Sequence, residues 1–168
     1  MASLANRFFL CLGVLLATSN LSYANLSQNT YTTTLSILSY AKINTDQPNL
    51  CIIANDSTIS NQFSHFIKLH KYKYRITSIN ANEVKSTRCD AIFFGDSTPS
   101  TEQSTINRSM NASVLSFSIN NTECELGSTF CLYSTKTGNT LFKVNLDSLS
   151  RSNIHIDPRV LLLARNAE

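Results

Sequence analysis

CDAIFFG, Cys89 to Gly95, sets four apolar residues in a row between Cys89-Asp90 and Gly95. A short unbroken apolar run bounded by turn residues fits a strand buried on both faces, which arises in sheets covered by helices on either side. LCIIA, Leu50–Ala54, has the same form, and VLSFSI, Val114–Ile119, reads as a further strand. Helical spacing fills the gaps between them. Ile59, Phe63, Phe66, Ile67 and His70 fall on one face of a helix over Thr58–Tyr72, with Asp56 and Ser57 as candidate caps, and Pro99 opens a helix to Met110. A first helix is expected near Tyr31–Ile43, YKYRITSI (Tyr72–Ile79) alternates as a half-exposed strand, and NANEVKS (Asn80–Ser86) reads as a short helix or loop. Downstream the pattern changes. LYSTKTGNTLFKVNL, Leu132–Leu146, reads as a hairpin turning at Lys136–Asn139, where Gly138 supplies the positive φ. The first part is doubly wound and the last antiparallel, so the expected fold is α/β: a single domain with a mixed β-sheet flanked by helices.

The N-terminus indicates the compartment. Arg7, an apolar run from Phe8 to Ala17, and small residues at Ser22 and Ala24 form a signal peptide over residues 1–24. The run is too short to span a bilayer, so a domain over 25–168 is expected to be released. Of the five cysteines, Cys11 leaves with the signal peptide, and Cys51, Cys89, Cys124 and Cys131 remain, an even number in a chain sent to an oxidising space. The pairing cheapest to close is Cys124 with Cys131, within CELGSTFC. It leaves Cys51 with Cys89, which flank two runs that read as neighbouring strands. Two such staples contribute about 2.5 and about 4 kcal/mol in the chain-entropy account.

Several chemistries find no support. His65, His70 and His155 do not cluster with the cysteines, and there is no CxxC, so neither a metal site nor an active redox pair is expected. Gly95-Asp96-Ser97 is similar to the nucleophile block of GDSL esterases, but no DxxH follows Asp147 or Asp157 to supply the base. Asp96 and Ser97 are therefore read as turn and cap. The glycines form no phosphate-cradling loop, and Glu123 and Glu125 read as a solvated loop. The net charge is +3, and its one basic run, KLHKYKYR (Lys68–Arg75), alternates with tyrosines as a strand does, so nucleic acid is not an expected partner. No catalytic residue and no cofactor are assigned.

The C-terminal run FKVNLDSLSRSNIHIDPRVLLLAR, Phe142–Arg165, reads as a strand face (Phe142, Val144, Leu146) and a short helix ended by Asn153. A last helix follows, capped by Asp157, with Pro158 at its first position and Val160, Leu161, Leu163 and Ala164 in the core. Arg151, Arg159 and Arg165 are the positions most free to face a partner. This run resembles the end of the YfiR family, and the likeness extends upstream through Cys124-Glu125-Leu126-Gly127, Phe130-Cys131-Leu132, CDAIFFG and LCII. The chain departs from the family where the first helix ends: Tyr40-Ala41-Lys42-Ile43-Asn44 has no tryptophan.

The resemblance implies a periplasmic, non-enzymatic domain over 25–168. It would bind and repress an inner-membrane diguanylate cyclase (YfiN-like), lowering cyclic di-GMP and biofilm formation. An OmpA-like outer-membrane lipoprotein (YfiB-like) would sequester it, and a homodimer is left open. The alternative is a periplasmic module binding a small ligand, a nucleotide or amino acid, at strand ends near Gly95.

Overall fold

The computed structural model describes residues 23–165; the expected signal peptide lies outside the described residues except for its last two. Six strands form one sheet: β1 Asn49–Ile53, β2 Arg75–Ser78, β3 Ala91–Phe94, β4 Leu115–Ser118, β5 Phe130–Ser134 and β6 Thr140–Val144, in the order β2-β1-β3-β4-β5-β6. All neighbouring pairs are parallel except β5 with β6, so the expected mixed sheet is present, with LCIIA beside CDAIFFG. Every residue of β1, β3 and β4 is buried, the apolar and small ones as their composition requires and Asn49 of β1 through hydrogen bonds with Asp90, Arg88 O and Thr77.

Five helices cover the sheet: α1 Tyr23–Ser39, α2 Thr58–His70, α3 Pro99–Asn107, α4 Leu146–Ser152 and α5 Pro158–Arg165. Side chains alternate across the pleat. Leu50, Ile52, Phe93, Leu115, Phe117, Phe130, Leu132 and Phe142 point to a first face and pack under Tyr31, Leu35 and Leu38 of α1, Phe63 and Phe66 of α2, and Val160 of α5. Cys51, Ile53, Ile92 and Phe94 point to the second face, where they meet Val84, Cys89 and Val114, with Ile106 of α3 beside them. Two disulfides staple the fold with the expected pairing, Cys51–Cys89 and Cys124–Cys131. The first ties β1 to the entry of β3; the second folds the β4–β5 loop back onto β5.

Some expected boundaries move. The first helix ends at Ser39 instead of Ile43, because Ala41 makes an antiparallel bridge with Ile156; the Lys42 amide donates to His155 O (2.9 Å) and the Asp157 amide to Tyr40 O (3.1 Å). Backbone partners from far along the chain replace helical ones. The Tyr72–Ile79 strand shortens to β2, since Lys71 ends α2 in the left-handed region (φ 57°) and Tyr72 and Tyr74 stack against each other, ring centroids 5.6 Å apart. Burial pushes the Tyr74 hydroxyl pKa up to about 12. Asn80–Ser86 contains only a 3-10 turn, Glu83–Lys85, and α3 stops at Asn107. The hairpin turns as expected, with Gly138 at φ 85°.

Candidate functional site

In a sheet of this order the topological switch point lies between β1 and β3, where open α/β sheets commonly hold ligands. Here the protein's own groups close it. A Cβ on Gly95 would come within 2.7 Å of Ala54 Cβ and 2.6 Å of Ile59 Cδ1, the Asn55 amide donates to the Asp96 carboxylate (3.0 Å), and Asn120 Nδ2 donates to Gly95 O (3.2 Å). Close packing thus fills the space at Gly95 itself, and the grooves described below lie elsewhere. Asp96 acts as a turn residue, while the cap of α3 is Thr98, whose hydroxyl accepts from the Thr101 amide, and not Ser97. His65 and His70 lie on α2 against Phe66, and His155 lies in the bridge to α1's end. Among the described residues no three His, Cys, Asp or Glu side chains cluster as metal ligands.

The open surface lies at the other end of the sheet. β6 is the last strand, with no strand on its outer side among the described residues, and the C-terminal run wraps around it. Asn145 caps α4 by accepting from the Ser148 amide (2.9 Å), and Asn153 ends that helix in the left-handed region (φ 51°). Asp157 accepts from the Arg159 amide (2.9 Å), and Pro158 starts α5. Only one stripe of this short helix meets the sheet. Val160 is buried and Leu161 and Ala164 are half-buried, whereas Leu162 and Leu163 are 57% and 62% exposed. The expectation that Leu163 belongs to the core is thus corrected: at about 100° per residue, a helix resting on a sheet edge cannot turn Val160, Leu161 and Leu163 inward together.

Two grooves flank α5. One, of about 490 Å³, lies between α1 and α5 over Phe142, with Tyr40 and Leu163 on its walls. The larger, of about 720 Å³, crosses the edge of β6 from Leu161 and Leu162 to Cys124, over Tyr133 and Val144. Leu146, 65% exposed, also lines it. Glu123 and Glu125 stand exposed at its rim, beside Lys143, whose amine donates to Thr122 O (3.0 Å). A wide apolar trough with a charged rim offers contact area and orientation, the means of a binding surface.

The three candidate arginines do not form one patch. Arg159, on α5, grips both oxygens of Asp157 (2.6 to 3.1 Å) and lies 5.7 Å from the centre of the Tyr40 ring, and hydrogen bonds from Arg159 bring the Asp157 carboxyl down to about 2. Arg151, on α4, donates to Gln103 Oε1 (3.3 Å) and Ser148 Oγ (3.1 Å) over a separate cleft on the second face. Arg165 ends α5, with its side chain outside the described part.

Sequence reasoning did not find the group that shapes the wall of the larger groove. Glu102 of α3 is fully buried and accepts from Ser118 Oγ (2.5 Å), Asn121 Nδ2 (3.0 Å) and the Ser128 amide (3.1 Å), holding the loop that carries Cys124. The available signal was the alternation of Ser116 and Ser118 with Leu115 and Phe117, which marks a polar second face on β4. Among the described residues no helix is long and apolar enough to cross a membrane. A family model described as YfiR/HmsC-like matches residues 28–165, so the chain belongs to that family, one of regulators of cyclic di-GMP signalling and not of catalysts.

Proposed function

We propose that this member of the YfiR/HmsC-like family is a periplasmic negative regulator that binds the periplasmic part of an inner-membrane diguanylate cyclase and holds it inactive, lowering cyclic di-GMP and biofilm formation. The observation that carries this reading is the family match over residues 28–165. The groove across β6 supports it as the docking surface. Leu146 and Leu162 would gain from burial, and an unpaired strand edge offers backbone hydrogen bonds. The segment that fits presents apolar side chains to the trough and a cation to Glu123 and Glu125. Among the described residues no arginine lines it: Arg159 is held against Asp157 and Tyr40, and Arg151 lies over the cleft of the second face. Repression requires tighter binding to the inactive cyclase than to the active one, since equal affinity shifts nothing. An OmpA-like lipoprotein competing for the repressor would release the cyclase, and a homodimer through the same edge would compete likewise.

The test is cyclic di-GMP in four strains, with and without each of the repressor and cyclase genes. Deleting the repressor should raise cyclic di-GMP only where the cyclase is present. Leu146→Asp with Leu162→Asp, both exposed on the groove, should reproduce the deletion while the purified domain keeps its melting temperature. Unchanged cyclic di-GMP on deletion, with the cyclase expressed, overturns the reading. The second reading, a small-ligand module, is favoured by one observation, the polar cleft beneath Arg151.

A further inference from the structure

The cleft lies on the second face between α3 and α4, with a volume of about 220 Å³. No aspartate or glutamate lines it, and Arg151 is its one charged residue. The walls hold spare donors. Arg151 uses Nη2 on Gln103 and Ser148, and its Nε and Nη1 donate to no group among the described residues. Ser109 Oγ is shut off from solvent with no partner among the described residues, where a buried hydroxyl normally finds one. The buried hydroxyls of Ser116 and Thr129 lie 3.1 Å apart. One donates to the other, which leaves one hydrogen over, and the Thr129 amide already donates to Ser116 Oγ (2.9 Å). The rest of the lining is mixed, with Gln103, Asn107, Ser148 and Ser152 polar and Ile106, Ala112 and Val114 apolar.

We propose that this cleft binds a small organic carboxylate, with the unused Nε and Nη1 of the Arg151 guanidinium as its anchor and a short hydrocarbon tail against Ile106 and Ala112. The proposal deepens the ligand-binding reading and rests on it, not on the cyclase. Surplus donors around a single cation select an anion, and a planar carboxylate matches the fork of a guanidinium. One arginine does not balance a dianion, and the apolar part of the wall gains nothing from inorganic phosphate. Size decides between the two ligands first considered. The volume falls below the lower bound of about 300 Å³ for drug-sized pockets. A ligand seated wholly within it is smaller than a nucleotide.

The probe is butyrate, set against the isosteric neutral butyramide and against chloride at matched ionic strength, titrated into the whole exported domain and read by ¹H–¹⁵N NMR including the arginine Nε–H. Butyrate should give saturable shifts at Arg151 Nε and at the Ser109 and Ser116 amides, and butyramide none. Arg151→Gln should weaken binding about ten-fold or more, as expected for losing a charge-assisted pair. If that variant loses its fold with the Gln103 and Ser148 contacts, Ala112→Leu, at an exposed position on the cleft wall, blocks the space instead and should abolish the shifts. Shifts that never saturate, that butyramide reproduces, or that centre on Arg159 overturn the proposal. Because cyclic di-GMP is not measured, such a result leaves the cyclase reading where it stands.

Discussion

Replacing Glu102 with alanine should cost more stability than any exposed change in the molecule. The carboxylate is fully buried and takes three donors, from Ser118, Asn121 and the Ser128 amide. Alanine leaves all three without it. Asn121 keeps its bond to Leu126 O (2.6 Å) and Ser118 Oγ still accepts from the Asn120 amide (3.2 Å), so part of the loss is recovered. A stranded buried donor costs about 1–3 kcal/mol, and with this partial recovery the net should be roughly 3–5 kcal/mol, a large share of the 5–15 kcal/mol typical of a domain. Glu102→Gln keeps one accepting oxygen and turns the other position into a donor, so it should lose about 1–3 kcal/mol. Urea unfolding at pH 7, with both disulfides intact by mass, gives the two differences directly. A loss under about 1 kcal/mol for alanine would show that the β4–β5 loop is held by its disulfide and not by this carboxylate, contrary to the account of the groove wall given above.

Three other outcomes follow from contacts already described. Removing Cys51–Cys89, which closes 38 residues, should cost about 4 kcal/mol against about 2.4 kcal/mol for Cys124–Cys131, which closes 7; paired Cys→Ala melts with equal or inverted losses would refute this order. Gly127→Ala should be strongly destabilising, because φ is 89° there and the new Cβ would lie 2.7 Å from Glu102 Oε2 and 2.8 Å from Pro99 O; a melting temperature equal to the parent's would be the contrary result. Asp157, held at about 2 by Arg159, should add stability above about pH 4 that is lost as the pH falls towards 2, and Arg159→Gln should raise its carboxyl ¹³C titration only part of the way to the ordinary value near 3.9, because the amide of residue 159 still donates to it.

The central strands were legible because burial on both faces leaves a mark that needs no partner to interpret: AIFF and LCII are apolar throughout. The caps at Asn153 and Asp157 were legible for the same reason, since each acts within three residues of itself; the Asn145 cap of α4 was not read. The misses share a different cause. The end of α1 is set by Ile156, and no local pattern near Ser39 announces it. Glu102 sits in PSTEQSTIN, a helix too polar to show which side is inward, so its burial depends on Ser118 and Asn121 arriving from elsewhere. The arginines looked equivalent in sequence because Arg151 and Arg159 were known only as exposed cations. Which face each occupies is decided by the chain passing around the edge of β6.

The bridge between Ala41 and Ile156 also sets the order of events in folding. A chain delivered N-terminus first presents α1 early, with Tyr31, Leu35 and Leu38 on its inner stripe, but the strands beneath that stripe include β5 and β6, and the segment that pins its end comes later still. Until Ile156 and Val160 emerge, α1 is a sticky amphipathic helix without a seat. Export through a membrane pore would prolong that interval, and any holding factor that keeps the nascent domain from clumping would find its simplest handle there. The segment from Ile156 to Val160 thus acts as a latch, since the first face is closed only when it has joined the end of α1.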